Sequence, residues 1–133
     1  FNVLTQQKTD PKWEMYSAEK LRSLKSIKKP VFINVSADWC ITCLLNEKLV
    51  LDSETFYSTL KDNNITYLKA DWTNHDVEIT NFLNSYERTG VPLYVYFPGD
   101  GEKEQILDQI LSPNEITTIL TKRTGPQKRK SFN

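Results

Sequence analysis

The sequence is poor in thiols and imidazoles: it has two cysteines, Cys40 and Cys43, and one histidine, His75. Two thiols three positions apart close only a local loop, so they cannot staple a fold. A structural zinc normally takes four ligands, and His75 is distant in sequence, so a metal site is disfavoured and no metal is expected. No stretch approaches the roughly 18 apolar residues of a membrane helix. The N-terminus lacks the basic-then-apolar order of a signal peptide. The expectation is therefore a mature form, an excised domain or a cytosolic protein. There is no Gly-rich phosphate loop, no pair of carboxylates placed for a cleft, no internal repeat and no domain linker. No cofactor is expected. Net charge is also lacking, with 17 basic against 17 acidic residues. Five of the basic residues (Lys122, Arg123, Lys128, Arg129, Lys130) follow the last acid, Glu115, which leaves 12 against 17, a net of −5, in residues 1–121. An acidic body disfavours nucleic acid as a partner.

What is present suits a single domain. A chain of 133 residues, 38% hydrophobic and 26% charged, is sized for one core. Residues 1–12 are polar and read as an extended lead-in. Residues 13–122 carry the periodic segments. Residues 123–133 read as a basic, solvated tail; contact with lipid headgroups or an acidic partner is the weaker reading.

In chain order, Trp13 to Tyr16 suggests a short edge strand. Ser17 caps a helix over about 18–28, with Leu21, Leu24 and Ile27 inward, ended by Pro30. Val31 to Ser36 is apolar at consecutive positions, as in a central strand covered on both faces, with Asn34 as the polar exception. A helix is expected from about Cys40 to Val50, then another over 54–62 capped by Ser53. Ile65 to Asp71 reads as a strand. Thr73 or Asn74 caps the next helix, whose stripe is Ile79, Phe82, Leu83 and Tyr86. His75 falls in its first turn, on the surface. Leu93 to Phe97 and Gln105 to Ile110 read as a hairpin around Pro98-Gly99-Asp100-Gly101. Ser112-Pro113-Asn114-Glu115 is a helix start, with Ile116, Ile119 and Leu120 buried. The order β-α-β-α-α-β-α-β-β-α predicts an α/β fold, a mixed central sheet of 4–5 strands with helices on both faces.

The chemistry concentrates at Cys40-Ile41-Thr42-Cys43, where a buried strand meets a helix. Disulfide exchange starts from a thiolate. The unpaired N–H groups and dipole of a helix start favour that charge by roughly 0.3–2 kcal/mol. This assigns Cys40 as nucleophile and Cys43, one turn later, as resolving thiol. Glu47 is four residues beyond Cys43 on the same helix side. It is the candidate proton acceptor, the alternative being a solvated helix glutamate. Asn34, six residues before Cys40, is placed to lie beneath the pair. Asp38 either affects the charge of the site or caps the helix.

Trp39-Cys40-Ile41-Thr42-Cys43 after an apolar strand, with Gly90-Val91-Pro92 before a later one, resembles the thioredoxin superfamily over about residues 13–122. The resemblance implies that Pro92 is a cis proline against the disulfide. It implies that the backbone at Val91 pairs with an extended substrate segment, and that Trp39 is a partly exposed cover beside Cys40. Within the superfamily, Ala37-Asp38-Trp39-Cys40, Cys43 and Glu47 resemble the C-terminal periplasmic domain of the DsbD thiol:disulfide interchange family. That implies a role for Glu47. It further implies redox partner proteins, with a DsbD membrane domain as electron donor and a DsbD N-terminal domain as acceptor. The implied place is the periplasmic side of the bacterial inner membrane, with a cytoplasmic place as the alternative. The isolated domain is expected to be a monomer.

Four positions depart from the pattern. Asn34 stands where the superfamily usually has a buried aspartate, and asparagine cannot take a proton at neutral pH. Ser36 replaces a frequent aromatic. Ile41-Thr42 lacks the Gly-Pro of ordinary thioredoxins. The favoured function is thiol:disulfide exchange as a reductant and relay. The alternatives are a general thioredoxin-like reductase, a redox-inert binding module using the Val91-Pro92 edge, and, with little support, a thiol peroxidase.

Overall fold

The computed structural model describes residues 12–121. The lead-in expected over 1–12, Lys12 apart, and the basic tail lie outside the described residues. Ten regular elements follow: β1 (Glu14–Met15), α1 (Ala18–Ser26), β2 (Val31–Ser36), α2 (Ile41–Asn46), α3 (Glu54–Asp62), β3 (Thr66–Asp71), α4 (Val77–Ser85), β4 (Leu93–Phe97), β5 (Gln105–Ile106) and α5 (Pro113–Thr121). A π-helical turn, Glu47–Leu51, continues α2. The strands form one sheet in the order β1-β3-β2-β4-β5. β1, β3 and β2 are parallel, whereas β4 runs antiparallel to β2 and β5 antiparallel to β4.

β2 and β4 occupy the middle. Residues 31–35 and 93–97 are all buried, as continuous apolar strands are when helices cover both faces. Alternation divides their side chains between two cores. Val31, Ile33 and Val35 join Leu21 of α1 and Ile79, Phe82 and Leu83 of α4. Phe32 joins Phe56 and Leu60 of α3, Val50 and Leu51 of the π turn, and Ile116 and Leu120 of α5. The mixed sheet with helices on both faces is the α/β architecture expected from the sequence.

Several boundaries move. Ile27, expected inward, is the C-cap of α1 and is exposed. Lys28 beyond it is left-handed (φ 60) and ends the helix. α4 is capped by Asp76, whose side chain accepts from the Ile79 N–H, so the helix begins later than Thr73 or Asn74 would set it. β5 has two residues rather than six: the Leu107 N–H still donates to the Tyr94 carbonyl, but beyond it Gln109 and Leu111 bond to Asn46 of α2.

Candidate active site

β2 delivers the chain to the start of α2 through Ala37-Asp38-Trp39. The Cys40 N–H donates to the Ala37 carbonyl (3.1 Å). Cys40 itself is extended (φ −97, ψ 105) and is the N-cap of α2, one residue before the helical turn in which the sequence places it. It is disulfide-bonded to Cys43. The Cys43 N–H donates to the Cys40 sulfur at 3.2 Å, so sulfur fills the role that a serine or aspartate oxygen usually fills. The two cysteines differ in access: Cys40 is 8% exposed and Cys43 is 0%. Of the two cysteines, only Cys40 keeps any exposed surface.

Glu47 stands at the joint between α2 and the π turn. Its N–H is shared between the Cys43 and Leu44 carbonyls, and its carbonyl accepts from the Asp52 N–H at 2.7 Å. A π turn inserts one residue into the helical ladder and resets the side chains around it. Oε2 of Glu47 accepts from Asn34 Nδ2 and from Ser36 Oγ, each at 3.2 Å. Asn34 Nδ2 also donates to the Tyr67 hydroxyl at 3.1 Å. Asn34 is fully buried, and its Oδ1 is a buried atom without a hydrogen-bond partner. Burial drives the Tyr67 phenol well above its ordinary pKa; the bond from Asn34 opposes this and the charge of Glu47 adds to it.

Trp39 is half exposed, and its Nε1 donates to the Thr73 carbonyl at 3.0 Å. Its ring stacks on His75, with centroids 5.7 Å apart, and lies 5.9 Å from Trp72. His75 is left-handed (φ 55) and packs edge-on against Trp72 at 4.4 Å, outside the helix in which the sequence places it. Asp38 is exposed, and its N–H donates to Thr73 Oγ1 at 2.9 Å. The helix cap is Cys40, not Asp38.

The Val91–Pro92 peptide bond is cis. Val91 packs against Ala37, Cys40 and Cys43, and its N–H and C=O make no hydrogen bond among the described residues. Pro92 is buried. Its carbonyl accepts from Arg88 Nη1 and Gln109 Nε2, each at 3.3 Å. Asn46 ties the same region to α2. Its Nδ2 donates to the Tyr94 hydroxyl (2.9 Å) and the Gln109 carbonyl (2.8 Å), and its Oδ1 accepts from the Leu111 N–H (3.1 Å).

Cys40, Cys43 and Val91 thus share one buried cluster, and Asn34 and Glu47 share a polar one. Sequence reasoning missed the roles of Ser36, Tyr67, Thr73, Arg88, Gln109 and Asn46. Strand alternation carried a signal for Ser36, which shares a face with Asn34 two residues earlier. Among the described residues there is no cluster of three or more metal-ligating His, Cys, Asp or Glu side chains, and no helix is long and apolar enough to cross a membrane.

A family model described as thioredoxin-like matches residues 12–99. The thiol:disulfide interchange protein DsbD of Escherichia coli K12 is 29% identical over 75 residues, 56% of this chain and 13% of its own length. DsbD of Yersinia pestis Pestoides F matches at the same identity, over 12% of its length. The chain therefore spans about an eighth of the curated relatives it matches. Among solved structures, the oxidised C-terminal domain of Neisseria meningitidis DsbD superposes with a TM-score of 0.62 at 20% identity, covering 79% of this chain and 95% of that one. A thioredoxin from Thermus thermophilus gives 0.64 at 13% identity, covering 83% and 85%. These two likenesses are of fold.

Proposed function

The chain belongs to the thioredoxin-like family, and on that premise we propose that it is a thiol:disulfide oxidoreductase, a reductant and electron relay in a DsbD-like pathway. The observation that carries the reading is the asymmetry of the cysteine pair. Cys40 is reachable and sits at a helix cap with an N–H directed at its sulfur, whereas Cys43 is sealed beneath it. A thiolate at Cys40 is favoured by that donor and by the helix start.

The reaction runs in two steps. The Cys40 thiolate attacks one sulfur of a partner's disulfide; a Cys40–partner disulfide forms and the other partner sulfur leaves as a thiolate. Cys43 then gives its proton to Glu47 and attacks the Cys40 sulfur. The Cys40–Cys43 disulfide forms, and the partner's second sulfur leaves with the electron pair. The partner gains two electrons and the Cys40/Cys43 dithiol loses two. The backbone of Val91, which makes no hydrogen bond among the described residues and packs on the cysteine cluster, receives an extended partner segment by strand addition, and Trp39 borders the approach.

By resemblance, a DsbD-type membrane domain supplies the electrons and a DsbD-type N-terminal domain receives them. On this reading the chain works on the periplasmic side of the inner membrane, as a monomeric domain. Turnover of a protein disulfide tests the reading. Cys40→Ser should abolish it, and Cys43→Ser should accumulate a covalent complex through Cys40 that dithiothreitol releases. Full turnover by Cys40→Ser would sink the proposal.

A further inference from the structure

The Asn34–Ser36–Glu47 cluster carries more than the presence of an acid near the cysteines. The two carboxylate oxygens of Glu47 are not equivalent. Oε2 accepts from both Asn34 Nδ2 and Ser36 Oγ, while Oε1 makes no hydrogen bond among the described residues. Both donors come from β2, and Glu47 comes from the helix that carries Cys43. The carboxylate is therefore tied across the strand–helix interface by one oxygen only.

The orientation of the Asn34 amide follows from the same contacts. Its two N–H hydrogens go to Glu47 and Tyr67, and its Oδ1 is buried without a partner. Turning the amide over would set Oδ1 against the Glu47 oxygen, acceptor against acceptor. A buried acceptor without a partner is unfavourable, so the donation to Glu47 outweighs the loss at Oδ1. An aspartate at position 34 could not make this bond: ionised, it has no donor.

We propose that Asn34 and Ser36 are positioning residues for the resolving step, holding Oε2 of Glu47 so that Oε1 takes the proton of Cys43. The proposal rests on the reading of Glu47 as proton acceptor. In the step concerned, the Cys43 S–H bond breaks and its proton passes to Oε1. The Cys43–Cys40 bond forms, the Cys40–partner bond breaks, and the partner sulfur departs as a thiolate. The base is thus held by two neutral donors rather than by a second acid.

Reaction of the reduced chain with excess dithiobis(nitrobenzoate) isolates the step. Attack by Cys40 releases one coloured thiolate, and attack by Cys43 on the resulting mixed disulfide releases a second in a phase independent of reagent concentration. Glu47→Gln should slow the second phase relative to the first by about 100-fold, the scale of a lost general base. Asn34→Ala and Ser36→Ala should each slow it by about tenfold, the scale of one charge-assisted hydrogen bond. Ser36→Thr, which keeps the hydroxyl, should restore it. With Glu47→Gln already present, Ser36→Ala should add less than about twofold, because the residues act as one unit. An unchanged second phase in Glu47→Gln would overturn the acceptor reading itself. Slowing by Glu47→Gln with no slowing by Ser36→Ala, or an additive effect of the two, would overturn the positioning role alone. Ser36→Ala decides the matter if the buried Asn34 variant does not fold.

Discussion

The hydroxyl groups of all six tyrosines titrate higher in the folded chain than in a free phenol. Burial is the first cause at each. Tyr16 and Tyr57 are raised from 10.0 to about 12, and carboxylates add to the effect, Glu78 at Tyr16 and Asp52 at Tyr57. A raised pKa means that the folded state favours the protonated phenol. The stability it contributes is whole below about pH 10 and is lost as pH rises toward about 12. Denaturant unfolding at neutral pH and at about pH 11 should therefore show a lower midpoint at the alkaline value. Tyrosinate absorbance in the folded chain should lag behind that of the unfolded chain. A tyrosinate signal rising at the ordinary phenol pKa without loss of structure would contradict this. The candidate site residues were legible at this scale because Cys40, Cys43 and Glu47 are singled out by chemistry and spacing. Tyr67 was not, since nothing in its neighbourhood says that its hydroxyl meets Asn34, 33 positions away.

Asn46 shows what a helical pattern hides. Preceded by Leu44 and Leu45, which are exposed, it is itself buried and makes three hydrogen bonds to residues 48 to 65 positions distant. These bonds join α2 to the segment after β5, whose Gln109 holds the Pro92 carbonyl. Asn46→Ala would leave the Tyr94 hydroxyl and the Gln109 and Leu111 backbone groups short of a partner. A loss of about 2–4 kcal/mol of unfolding free energy is expected, at roughly 1–3 kcal/mol per buried unpaired group with partial relaxation. Chemical denaturation checks it, and a change within about 0.5 kcal/mol would show that the three bonds hold nothing. Strongly patterned elements were readable: β2 and β4 match the expected ranges, and Ser17 and Ser53 cap their helices through side-chain oxygens. The π turn was not, because inserting one residue leaves the apolar spacing of Val50 and Leu51 compatible with an ordinary helix. The loss of most of the second hairpin strand was equally invisible, since the segment Leu107 to Leu111 does not record that Asn46 holds Gln109 and Leu111 away from the sheet.

At the scale of the molecule, the sheet order places β2 at the centre, and β2 feeds the cysteine helix directly. The site is thus anchored to a buried central strand, with Cys40 the more exposed of the two cysteines. The order of elements was enough to read this architecture, since parallel pairing with right-handed crossovers leaves few arrangements. The support of the site by Arg88, Gln109 and Asn46 arises only when distant segments are brought together. The central claim, that this assembly donates electrons through Cys40 and Cys43, is tested most directly by the equilibrium reduction potential of the pair. Titration of the full chain against glutathione and a thioredoxin couple gives that value. A potential toward the thioredoxin end of the known range, about −270 mV, is expected of a reductant. A potential near about −120 mV, the oxidising end, or a disulfide that never equilibrates with either couple, would contradict the account.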